Sequence, residues 1–226
     1  MRYDRILEAK FLSRPNRFIA KVELEGKEEI CHVKNTGRCR ELLIPGTTVY
    51  VQMAENPDRK TKYDLITVEK GERLVNIDSQ VPNRVFYEWL ISGRLFQNVT
   101  LIKPETTYKH SRFDFYVEAD GKKYFIEVKG VTLEKEGAVF FPDAPTERGV
   151  KHLKELTECV SEGYEAMIFF VIQMKDVSFF SPHDETHKAF GDALREAAER
   201  GVKVMAGDCF VSKDSISPGD FVPIIL

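Results

Sequence analysis

Three residues of this 226-residue chain, Asp114, Glu127 and Lys129, have types and spacing suited to chemistry on a phosphate. Alternating runs at 112–119 and 122–129 flank Asp120-Gly121, and Asp-Gly between such runs predicts a two-residue hairpin turn. With Ala119 opposite Lys122, Phe115 faces Ile126, Phe113 faces Val128 and Val117 faces Tyr124 on one apolar side. The other side then pairs Asp114 with Glu127 and Arg112 with Lys129. Carboxylates directly opposed across two strands have Cβ atoms about 4.5–5.5 Å apart and repel. A divalent cation held by oxygen ligands would offset that repulsion, and Mg²⁺ (or Mn²⁺) suits two carboxylates with water and a phosphate. Lys129 follows Glu127 by two positions, hence on the same face, where its ammonium can orient a water or stabilise charge on a phosphate. Glu88, on a helical stretch just before, is a candidate third carboxylate for metal and catalysis. The alternative is a solvated ladder in which the cations neutralise the acids.

Candidate phosphate contacts cluster in turn-rich loops. Arg14 and Arg17 flank Pro15-Asn16, Arg38 and Arg40 follow Asn35, Thr36 and Gly37, and Arg59, Lys60 and Lys62 share a loop. Arg148, Lys151 and His152 open a helix after Pro145, where free N–H groups and the helix dipole favour an anion. A solvated rim is the competing reading. Two zinc patterns fail on spacing. Cys31, His32 and Cys39 match no common knuckle, and His183-Asp184-Glu185-Thr186-His187 lacks the Glu that a zinc-protease helix carries directly after its first His.

These residues need elements to position them. The first half reads as short strands at 4–12, 17–24, 28–33, 47–53, 63–69 and 73–77, with turn formers between them and one helical turn at 38–43, a pattern expected of a small barrel. The second half reads as a helix at 83–92, strands at 105–109, 112–119, 122–129 and 138–141, a helix at 146–161, a buried strand at 164–172, a helix at 186–200 and a strand at 202–211. The expected class is therefore α/β (α+β), with a barrel over 1–80 and a mixed sandwich over 81–226.

Composition excludes disorder, at 42% hydrophobic and 31% charged residues. The longest apolar run, 166–172, is too short for a membrane helix of about 20 residues. Residues 1–5 carry no signal-like apolar stretch, so a cytoplasmic protein with no membrane partner is expected. The formal charge of −3 averages +2 over residues 1–80 and −5 over the remainder, so the total is a poor guide to partner. The four cysteines are expected as free thiols.

The chain resembles the sugar fermentation stimulation protein A family, within the PD-(D/E)xK nuclease-like superfamily, over nearly its whole length. The likeness rests on 14–18 (RPNRF), 35–38 (NTGR), 41–43 (ELL), 59–63 (RKTKY), 82–84 (PNR), 111–115 (SRFDF), 126–129 (IEVK), 131–133 (VTL) and above all 141–153 (FPDAPTERGVKHL). Lys34 is a departure, since bacterial relatives often carry proline there. The resemblance implies an OB-fold-like barrel followed by a nuclease-like αβββαβ domain. It implies DNA binding without marked sequence preference and, in bacterial members, a regulatory link to sugar metabolism; duplex is the expected partner ahead of single-stranded DNA, and an OB-like barrel would also accept RNA or single strands. It matches Asp114 and Glu127 to the metal carboxylates, Lys129 to the catalytic lysine and Glu88 to a helix acid. Mg²⁺-dependent DNA cleavage is the enzymatic alternative. The oligomeric state is left open, a homodimer included.

Overall fold

The computed structural model describes all residues except Thr36 and Pro57. Strands β1 (Ile6–Asn16), β2 (Ile19–Leu24), β3 (Lys27–Val33), β4 (Thr48–Met53), β5 (Tyr63–Lys70) and β6 (Arg73–Asn76) form one sheet in the order β3-β2-β1-β4-β5-β6. A parallel β3–β5 pairing closes the first five strands into an OB barrel, so no long edge is left unpaired among them. Alternation in β2 and β4 sends Ala20, Val22, Val49 and Val51 inward, all fully buried. The expected turn at 38–43 forms: Leu43 N–H donates to the Cys39 carbonyl at 2.9 Å.

The second half contains α1 (Pro82–Ile91), β7 (Val99–Tyr108), β8 (Ser111–Ala119), β9 (Lys122–Val131), β10 (Leu133–Lys135), β11 (Ala138–Phe141), α2 (Glu147–Ser161), β12 (Glu165–Ile172), β13 (Phe179–Pro182), α3 (Asp184–Glu199), β14 (Lys203–Val211) and β15 (Ile216–Phe221). Its main sheet runs β15-β14-β12-β9-β8-β7, with β12 parallel to both β9 and β14 and an antiparallel β7–β8–β9 meander. Helix α1 covers one face, where Phe86 and Trp89 pack on Phe169 at ring centroid distances of 4.8 and 5.0 Å. Helix α2 covers the other through Leu153, Leu156 and Cys159, and Phe190 and Leu194 of α3 join that same core. A small β10-β11-β13 sheet leads into α2, whose first turn is capped by Thr146 Oγ1 accepting from Gly149 N–H at 3.1 Å.

Several boundaries differ from the sequence reading. Strand β7 starts at Val99, ahead of the expected 105, continuing through Pro104 as an edge strand can. Strands β10, β13 and β15 lie outside the expected elements; β15 contains Pro218 and Gly219, both poor strand formers. Residues 1–3 lie on the α/β domain: Tyr3 N–H donates to the Asp214 carbonyl and Ile216 N–H to the Met1 carbonyl.

The two halves are joined by buried polar contacts. Gln173 Nε2 lies within hydrogen-bond distance of Asn76 O, Asn76 Oδ1 and Asp78 O, at 3.1, 3.0 and 3.0 Å. Lys70 and Arg73 of the barrel pair with buried Glu134 of β10 at 2.5 and 3.2 Å.

A carboxylate centre beneath α2 and basic barrel loops

The hairpin turns at Asp120-Gly121 with φ of 51° and 73°, and the predicted register holds from Ala119↔Lys122 to Phe115↔Ile126. Beyond Phe115 the ladder stops. Phe113 turns to the α2 side, its ring 5.7 Å from Phe125 and 6.0 Å from His152, whereas Val128 packs on the α1 side with Phe115 and Ile126. The expected Phe113–Val128 pair is therefore corrected, and no ladder pair joins Asp114 to Glu127. The physical reason is visible in the hydrogen bonds. Asp114 Oδ2 accepts the Val128 N–H at 2.8 Å, so a side chain occupies the place of a partner-strand carbonyl. Asn83 of α1 donates to Asp114 Oδ1 at 2.8 Å and fixes the other oxygen.

Glu127 is 3% exposed, in the middle of β9 and opposite Ile168 of β12. Its Oε1 meets both His152 Nδ1, at 2.5 Å, and Lys129 Nζ, at 2.6 Å. Its Oε2 is buried and has no hydrogen-bond partner among the described residues. A buried carboxylate oxygen left bare is costly unless a ligand satisfies it.

The two acids are driven apart electrostatically. Burial first, then the Glu127 carboxylate, hold Asp114 above its ordinary value against the Val128 N–H, Asn83 and Lys129. At Glu127 burial also acts upward, but His152 and Lys129 outweigh it and the net direction is down. Of the two, Glu127 is the one whose charge its neighbours favour, in keeping with a hard-cation ligand. The donor set fits a divalent metal: two carboxylates lie close enough to perturb each other, and one buried oxygen has no competing donor.

Glu88 lines the same cavity as Asn83 and Asp114, on the side where the Met1 ammonium lies. Its Oε1 accepts from the Met1 terminal ammonium at 2.8 Å, and no group of three His, Cys, Asp or Glu suited to a metal occurs among the described residues. Glu88 stays a candidate ligand beside Asp114 in that cavity, with its Oε1 held by the Met1 ammonium. The zinc alternatives also find no cluster; His187 leaves helical geometry and lies 3.2 Å from Glu147 Oε1.

The basic loops divide into two groups. Arg14 donates to four backbone carbonyls, those of Arg17, Asn35, Gly37 and Arg38, at 2.7–2.8 Å, so it clamps loops together. Asn35 is likewise engaged: its Oδ1 accepts from Gly37 N–H and its Nδ2 donates to the Ile77 carbonyl. Arg59 grips Asp64 at 2.7 and 3.0 Å, and Lys34 pairs with Asp64 and Asp78 at 3.2 and 3.6 Å. By contrast, Arg17, Arg38, Lys60 and Lys62 are exposed and form no ion pair among the described residues. Thr36 lies outside the described residues. Arg38 N–H donates to Asp143 Oδ2 at 3.0 Å, which sets the barrel loop beside the segment that starts α2. That helix exposes Arg148 and Lys151, while His152 points inward, 3% exposed. Lys151 Nζ donates to the His110 carbonyl at 3.0 Å.

The sequence places His152 with Arg148 and Lys151 at an anion-favouring helix start, whereas the structure turns it inward. The inward spacing of Gly149, His152, Leu153, Leu156 and Cys159 is the signal that marks it as buried.

Residues 80–215 match the family model described as the sugar fermentation stimulation protein RE domain, and residues 12–77 match the SfsA N-terminal OB domain. A sugar fermentation stimulation protein homolog from Clostridium beijerinckii is 62% identical over 226 residues, covering 100% of both chains. Another, from Desulfitobacterium hafniense, is 65% identical, covering 100% of this chain and 99% of that one. Among solved structures, SfsA of Pyrococcus furiosus in complex with Ca²⁺ superposes with a TM-score of 0.88 at 28% identity, covering 100% of this chain and 98% of that one.

Proposed function

The chain belongs to the sugar fermentation stimulation protein family, and we propose that it is a sequence-tolerant DNA-binding protein whose α/β domain carries a divalent-metal site of nuclease type. The observation that carries this reading is the free set of cations, Arg17, Arg38, Lys60 and Lys62, on an OB barrel whose Arg38 loop adjoins α2. Lys and Arg on barrel loops contact phosphates without reading bases, which gives affinity without sequence preference. Duplex DNA is the favoured partner, because Arg148 and Lys151 on α2 extend the basic surface beyond the barrel. A regulatory link to sugar metabolism agrees with the family's description. Fluorescence anisotropy with duplex, single-stranded DNA and RNA of one length tests the reading. Duplex should bind tightest, with log affinity falling linearly against log salt; salt-independent binding, or none, would overturn it.

A second reading, metal-dependent hydrolysis of DNA, is favoured by the bare, buried Oε2 of Glu127. Asp114 and Glu127 would hold Mg²⁺ or Mn²⁺, and the Ca²⁺ complex of the Pyrococcus furiosus relative supports a hard divalent cation. When bound, such an ion polarises a phosphoryl oxygen and lowers the pKa of a bound water. Lys129, held on Glu127, supplies a positive charge where a phosphate would develop negative charge. Asn83 and the Val128 N–H keep Asp114 from rotating away. Supercoiled plasmid incubated with Mg²⁺ or Mn²⁺ should be nicked by the wild type and not by Glu127→Gln; equal nicking by both would point to contamination.

A further inference from the structure

Arg148 and His152 stand one helical turn apart on α2, and their contact fixes where the imidazole carries its proton. Arg148 Nε is 3.3 Å from His152 Nε2, and a guanidinium N–H can only donate. His152 Nε2 must therefore accept, which leaves the ring proton on Nδ1. Nδ1 faces Glu127 Oε1 at 2.5 Å, so the hydrogen bond runs from His152 to Glu127. Lys129 donates to the same oxygen. Two donors thus converge on Oε1 while Oε2 stays bare. With only three rotatable bonds and one oxygen doubly held, the carboxylate cannot exchange its two oxygens without breaking both contacts.

From this chain of contacts we infer that His152, with its tautomer set by Arg148, is a positioning residue that aims Glu127 Oε2 at a divalent cation. The inference rests on the metal reading of Asp114 and Glu127 and adds residues that reading did not contain. It also gives Arg148 a role beyond phosphate contact. Donors behind a metal-binding carboxylate generally matter by 10–100-fold in metal affinity. The geometry makes a sharper demand as well. An asparagine at 152 puts an amide nitrogen at the same bond distance from the backbone as Nδ1, whereas glutamine reproduces the position of Nε2.

The test is Mn²⁺ titration of the full-length chain, followed by electron paramagnetic resonance of the free ion, on wild type, His152→Asn, His152→Gln, His152→Ala and Arg148→Ala. Thermal melts run alongside, and a ¹⁵N spectrum of wild-type His152 reports its tautomer. Expected are Mn²⁺ affinity within about threefold of wild type for His152→Asn and a loss of about 10-fold or more for His152→Gln and His152→Ala. Arg148→Ala, an exposed position, should weaken Mn²⁺ several-fold without a change in Tm. The ¹⁵N spectrum should place the proton on Nδ1. Equal affinity across all variants, asparagine no better than glutamine, or a proton on Nε2 would overturn the positioning role and leave the metal reading standing. Failure of the wild type to bind Mn²⁺ would overturn both.

Discussion

In the barrel, the cations engaged by the fold and those left in water are different residues: half-buried Arg14 and Arg59 hold loops, whereas Arg17, Arg38, Lys60 and Lys62 lack carboxylate partners among the described residues. In the α/β domain, one buried residue does both jobs at once. Glu127 is anchored through Oε1 by His152 and Lys129 and leaves Oε2 bare. The contrast follows from solvation. An exposed cation needs no partner to remain charged, so a barrel can present phosphate contacts on flexible rims at little cost. A buried carboxylate is tolerated only with hydrogen bonds around it, so a metal centre must be prepared by neighbouring residues.

The largest effect is expected at Glu127. Glu127→Gln should reduce Mn²⁺ affinity and any metal-dependent nicking on the order of 100-fold or more, since a charged ligand is lost rather than a residue behind it. DNA binding without metal should change little. If duplex affinity falls with it, the two regions do not act separately.

Next in size is Arg14→Ala, which removes donors to four carbonyls and should destabilise the protein by about 2 kcal/mol, read as a lower chemical-denaturation midpoint. A variant with unchanged stability and weaker DNA binding would move Arg14 into the phosphate-contacting group.

Glu134 lies at the seam between the halves, where Lys70 and Arg73 of the barrel meet β10. Burial acts to raise its carboxyl, but Lys70, the Gly137 N–H and Arg73 outweigh it, so the folded pKa lies below the ordinary 4.5. A depressed folded pKa contributes stability that is complete above the unfolded value and is lost as pH falls through the folded one. Glu134→Gln should therefore cost about 1–2 kcal/mol at neutral pH, with the gap to wild type closing as pH drops below 4.5. A gap independent of pH would mean that packing, not charge, is lost.

The smallest effect is expected at the free rim. Arg38→Ala and Lys60→Ala should each leave Tm unchanged and lower the slope of log affinity against log salt by about one. Unchanged slopes would remove these loops from the DNA surface.

The hairpin was legible in sequence because Asp120-Gly121 specifies its turn and period-two alternation specifies its register as far as Phe115. The register failed where Asp114 reaches across to the Val128 N–H, since strand patterning assumes backbone partners and cannot anticipate a side-chain substitute. The ion pair of Glu88 was illegible for a related reason. Its partner, the Met1 ammonium, lies 87 residues away and is brought near by contacts of residues 1–3 with Asp214 and Ile216. Arg14 and Arg38 look alike in sequence, because nothing local says which loop carbonyls will converge on a guanidinium. His152 was legible in principle from its inward helical spacing, but its partner Glu127 sits on a strand that only the fold brings beneath α2.

The most direct test is a crystal of this protein soaked in Mn²⁺, with anomalous scattering recorded at the manganese edge. A peak is expected between the Asp114 carboxylate and Glu127 Oε2, with His152 and Lys129 still on Oε1. A peak elsewhere, or none at this centre with Mn²⁺ in excess, would contradict it.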